Sequence, residues 1–277
     1  MACFFNRLRH DRALLPFVLS AFFALLACIL RTVAFFIRFD VAVGYFRSDS
    51  FLVILANLCM LFGIAASLAT SFLINKGAHP AETRKLPLPR FVCAAVCAIL
   101  LCILSSFLLI RTDSIPAPQL LVLISTLILP CSAFYFLLRL LNDKSNAAVA
   151  LGFFTILSAA AILAITYFDR YTPMNAPHKL SLHVCMLSVM FGMLYELRAL
   201  LSRPMPRACV CVTMLAAFFC TVYSVSNLIA FFGGVYDDVT YLFFDLVTLS
   251  FAAYFAVKAV YLIFTKEKEE KKEEEAQ

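Results

Sequence analysis

Charge is scarce in this chain. Of its 277 residues only 14% are Asp, Glu, Lys or Arg, whereas 63% are hydrophobic, and mean hydropathy is +0.93. Soluble domains carry about a quarter charged residues, and a water-soluble fold this apolar would expose large sticky patches. A soluble globular domain is therefore excluded. Glycine is scarce as well: seven, scattered along the chain, form no glycine-rich loop that could cradle a phosphate. Catalytic signatures are missing. There is no His-Glu-x-x-His, no CxxC, no Ser/His pair, and no paired aspartates in adjacent apolar runs beside a glycine-rich motif. The motifs lean away from an enzyme and call for no cofactor. The net charge of +6 is spread between apolar runs rather than gathered on one face, which excludes a nucleic-acid partner.

What is abundant is apolar length. A spanning helix needs about 20 predominantly apolar residues, and the sequence offers eight such runs: 13–37, 50–74, 90–111, 118–141, 147–168, 180–201, 207–232 and 239–264. The first follows arginines, as a signal peptide would, but it is too long and lacks a small-x-small cleavage site. Nearly all of the eleven cysteines lie inside these runs, where cysteine behaves as a small hydrophobe, so a disulfide framework is not expected. The expected fold is an all-α bundle of eight transmembrane helices in contact with a lipid bilayer. The expected location is a plasma membrane of bacterial type.

Lys and Arg favour cytoplasmic loops. With the N-terminus inside, sixteen of the basic residues fall on the inner side, in the segments around Arg7, Lys85, Lys144, Arg203 and Lys268. Six fall outside: Arg31, Arg38, Arg47, Arg111, Arg170 and Lys179. Both termini are therefore expected in the cytosol.

The second half of the chain echoes the first. Pro87-x-Pro89-Arg90 matches Pro204-x-Pro206-Arg207, Phe39-Asp40 matches Phe168-Asp169, and Phe62-Gly63 matches Phe191-Gly192. Tyr135 and Arg139 align with Tyr254 and Lys258. These matches divide the chain into a four-helix half (1–141), a second half (142–265) and a charged cytoplasmic tail (266–277). Two halves with even span counts insert in the same direction, as a parallel repeat. Proline suits a helix start, and the arginine after it is expected to snorkel to the interface. Pro130, inside span 4, is expected to kink it. Gly63 and Gly192 are expected to let spans 2 and 6 approach closely.

Ionisable groups inside a bilayer are costly and are functional candidates. In the outer half lie Arg31, Asn57, His183, Tyr223, Ser224, Asn227 and Asp245. Arg31 and Asp245 sit at matching depths and are the natural ion pair. The functional reading is an outward-facing pocket in which Arg31, Asn57, His183, Asn227 and Asp245 hold a small-molecule ligand. The structural alternative is a salt bridge with interhelical hydrogen bonds. In the inner half, Arg139 and Lys258 are expected to snorkel, with Glu196 placed to pair with Lys258. Soft ligands Cys93, Cys97, Cys209 and Cys211 offer a weak metal alternative, although Cys209 and Cys211 share no helical face. These features point to a small-solute transporter or permease component. The alternative is a non-transporting sensor or assembly subunit with a protein partner at its cytoplasmic face.

Overall fold

The computed structural model describes residues 13–40, 44–46, 50–73, 88–140, 146–170, 172–173, 176–201, 205–235 and 237–264. The charged tail, the segment 74–87 with Pro87, and Arg203 and Pro204 lie outside the described residues. Eight helices dominate: α1 (Leu14–Arg38), α2 (Phe51–Leu73), α3 (Leu88–Ile110), α4 (Gln119–Leu140), α5 (Asn146–Phe168), α6 (Pro177–Leu200), α7 (Pro206–Phe232) and α8 (Val239–Phe264). All eight are long and apolar enough to cross a membrane, and the protein is a multi-pass membrane protein. Each expected span agrees with its helix to within three residues at either end. Between α1 and α2 stands a feature the hydropathy pattern does not reveal. Strands β1 (Phe39–Asp40) and β2 (Tyr45–Phe46) pair antiparallel, Phe39 opposite Phe46, around Gly44 with its positive φ of 76°.

The helix starts follow from proline. α6 and α7 carry proline in their first turn, where its missing N–H leaves no intrahelical bond unmade. Pro130 acts differently. α4 runs unbroken through it, yet the proline cannot donate to the Thr126 carbonyl four residues back. Ser105 of α3 supplies the missing donor, its Oγ lying 2.8 Å from that oxygen. The proline thus ties α4 to its neighbour.

Helices α3 to α8 close into a ring, each packed on the next, with α8 returning to α3. The α1–α2 hairpin lies outside the ring and rests on α7. The two halves are packed differently: α1 contacts α2 and α7, whereas its sequence counterpart α5 sits between α4 and α6. Gly63 and Gly192 do bring helices close, though not α2 to α6, which both pack on α7. A Cβ on Gly63 would overlap the Phe218 ring of α7, and one on Gly192 would sit 2.8 Å from the Phe255 ring of α8. The ring interior is filled by aromatic side chains. Phe136 of α4 lies 6.1 Å from Phe251 and 5.2 Å from Tyr254 of α8, centroid to centroid.

Candidate functional site

One ionised layer lies inside the ring. Arg90 occupies the first turn of α3, Arg139 the last turn of α4, and Glu196 the last turns of α6. Lys258 lies in the last turns of α8. Successive spans run in opposite directions, so these four positions meet at one end of the ring. Glu196 is fully buried, and Lys258, Arg139 and Arg90 are only 1%, 2% and 4% exposed.

The carboxylate of Glu196 organises the layer. Its Oε2 accepts from Lys258 Nζ at 2.8 Å. Its Oε1 accepts from Tyr254 OH at 2.6 Å, Tyr135 OH at 3.1 Å and Arg90 Nη2 at 3.2 Å. Arg139 Nε faces the same oxygen at 3.5 Å. The Arg90 guanidinium also lies over the Tyr254 ring, 5.5 Å from its centroid. Burying a charge costs several kcal/mol unless it is paired and hydrogen-bonded. Here one carboxylate faces three cations, and these four side chains together carry two excess positive charges. A carboxylate with this many donors is a poor general base.

The sequence reading treated Arg90, Arg139 and Lys258 as snorkelled anchors. The structure corrects this, since all three turn inward to Glu196. The expected Glu196–Lys258 pair is present. Snorkelling is available to any basic residue near a helix end, and nothing local tells an inward arginine from an outward one. Arg198, two residues beyond Glu196, is exposed. A usable signal was the spacing: Tyr135 and Arg139, and Tyr254 and Lys258, are each four residues apart, on one helix face.

Toward the other end of the ring the polar groups pair off locally. Asn227 Nδ2 of α7 donates to Asp245 Oδ1 of α8 at 3.4 Å, both residues being fully buried. His183 Nε2 lies 3.0 Å from Thr166 Oγ1. Arg31 Nη2 donates to the Pro177 carbonyl at 3.3 Å, with its guanidinium 5.6 Å from the Phe35 ring centroid. Lys179 Nζ donates to the carbonyls of Asp169 and Thr172, and Tyr241 OH donates to Asp169 Oδ2 at 2.9 Å. Of the five residues assigned to one pocket, these bonds join Asn227 and Asp245 directly. Asn57 is exposed on α2.

All ten cysteines among the described residues carry free thiols. Cys93, Cys97, Cys209 and Cys211 do not converge: no three His, Cys, Asp or Glu side chains among the described residues group as metal ligands. No family model, curated protein or solved structure matches the chain.

Proposed function

We propose that this protein is a transporter or permease component that moves a small solute through its six-helix ring, in a plasma membrane with both termini in the cytosol. The reading rests on one observation: four ionised side chains from four helices meet inside the ring, with aromatic side chains packed next to them. Glu196, Arg90, Arg139 and Lys258 form this layer. Asp245 lies about 20 Å further along α8, at roughly 1.5 Å per residue, buried against Asn227 of α7. Phe136 packs against Tyr254 and Phe251. Intramembrane charges that face a bundle interior mark ion and substrate paths, and a plug of aromatic rings beside them suits a gate. On this reading the sequence duplication diverged, one half giving up its first hairpin to the outside of the ring.

A second reading is a non-transporting assembly subunit. It is favoured by a cleft of about 780 Å³ between α1, α7 and α8, whose walls are nearly all apolar and include Ala24, Ala217 and Ala256.

Light-scattering uptake by proteoliposomes, run against a panel of small anions, cations and polyols, separates the two. The transport reading expects at least one solute to enter faster than into empty vesicles. Arg31→Ala, Asp245→Ala and Glu196→Gln should each abolish that gain while the protein still elutes as a folded species. If no solute is accelerated, the reading fails and the assembly subunit takes its place.

A further inference from the structure

We infer that the outer face of α2 is the contact by which two copies of this protein pair in the membrane, Asn57 of one copy bonded amide to amide with Asn57 of the other. The inference goes beyond the transport reading and stands whether or not a solute moves.

One side chain carries it first. α2 has 23 residues, which at roughly 1.5 Å each run about 35 Å, slightly more than the hydrocarbon thickness of about 30 Å. Asn57 lies about 9 Å from the start of the helix at Phe51. Its amide is therefore in hydrocarbon, too deep for so short a side chain to reach the headgroups. Yet Asn57 is exposed and has no hydrogen-bond partner among the described residues. The other exposed polar side chains of the described spans lie at or next to a helix end, as Gln119, Asn146 and Arg198 do. Failing that, they bond their own helix, as Ser106 does to the Cys102 carbonyl at 3.0 Å. Lipid tails offer an amide neither donor nor acceptor; another protein does.

The residues around Asn57 are spaced for a helix partner. Ile54, Asn57, Leu61, Ile64 and Leu68 recur at alternating intervals of three and four, the seam spacing of a left-handed helix pair. Within the protein α2 packs on α1 and α7, and the seam is left largely uncovered by both: Ile54, Leu61 and Leu68 are 54%, 61% and 40% exposed.

Symmetry selects a second copy. Closed homo-oligomers are most often two-fold dimers. Both copies insert in the same direction, so the two-fold axis runs along the membrane normal. α2 then meets α2 in parallel, with residue 57 at one depth in both. A side-chain amide carries donors and an acceptor, so each Asn57 gives one hydrogen bond and receives one. A different protein would need its own polar group at that depth; a second copy always has one. A single Asn in an apolar seam also fixes register and oligomer state.

The test uses the full chain, labelled on an added C-terminal tag and reconstituted into phosphatidylcholine liposomes over a range of protein-to-lipid ratios. Single-molecule photobleaching counts the copies per spot. A dimer fraction that rises with protein density is expected. Asn57→Leu should shift the equilibrium about tenfold toward monomer, whereas Asn57→Gln, which keeps the amide, should retain most of the pairing. Leu127→Ala, on an exposed face of α4, should change nothing. Position 57 is exposed in the single copy, so these variants leave the fold intact, which gel filtration checks. Asn57→Cys, oxidised with a Cu(II) complex, should give more covalent dimer on a non-reducing gel than wild-type protein treated alike.

Copies that stay single at every density overturn the proposal, and that is also the result expected if a helix of another protein covers Asn57. Pairing that Asn57→Leu leaves intact overturns it as well, as does an Asn57→Cys variant that cross-links no more than the wild type.

Discussion

The two ends of the ring handle buried polarity in opposite ways. At the Glu196 end, three helices send charged or phenolic groups to one carboxylate on a fourth, and every donor shares Glu196 with the others. At the other end, Asn227 meets Asp245, His183 meets Thr166, and Lys179 meets backbone carbonyls, each within its own neighbourhood. The first arrangement is a hub with one centre; the second is spread over several, Asp169 taking both Lys179 and Tyr241. A hub concentrates dependence: removing its centre strands several charges at once, whereas removing one of several centres strands fewer. The Glu196 end should therefore be the more cooperative and the more sensitive of the two.

That contrast can be broken by measurement. Replacing Glu196 with Ala leaves three buried cations without their shared partner and should cost about 3–5 kcal/mol, read from the midpoint of SDS-induced unfolding in mixed micelles. A cost near that of an Asp245 substitution would erase the distinction. A double-mutant cycle sharpens it. Glu196→Ala combined with Lys258→Met should be less harmful than the sum of the single changes, by about 0.5–3 kcal/mol. Asp245→Ala with Lys179→Met should add to within about 0.5 kcal/mol.

Smaller effects belong to packing. Gly63→Leu drives a side chain into the Phe218 ring and should destabilise by about 1–3 kcal/mol, with Phe218→Ala restoring part of the loss. Smallest of all, Ser20→Ala removes the 2.8 Å contact between the Ser20 and Ser67 hydroxyls and should cost about 0.6 kcal/mol, the usual worth of such a bond between membrane helices. A loss above 2 kcal/mol there would mean that the hairpin, too, depends on a single polar centre.

Much of the fold is legible in the residues. Runs of sufficient apolar length fix the eight helices, and prolines at positions 177 and 206 mark where two of them begin. The order of neighbours is not legible. Lipid tails are as apolar as leucine, so hydrophobicity does not separate a lipid-facing side chain from a core one: Leu127 is 74% exposed and Leu129 fully buried on the same helix. Ring closure and the outlying hairpin therefore leave no mark in hydropathy. The layer around Glu196 is half legible. Glu196 and Lys258 could be paired from their depths, whereas Arg90, next to a proline at a helix start, carries the same local signature whether it turns outward or in. The grouping of Arg31, Asn57, His183, Asn227 and Asp245 relied on depth alone. Depth does not fix the direction around a helix axis, and Asn57 faces outward.

The α1–α2 hairpin has a bearing on how the chain is built. Synthesis proceeds from the N-terminus, so this pair enters the bilayer well before α7, the surface on which it comes to rest, has been made. In that interval it depends on its own internal contacts. The Ser20–Ser67 hydroxyl pair and the Phe23–Phe62 stack, 5.5 Å between centroids, supply them. The hairpin is thus a pre-formed clasp, made before the surface it grips.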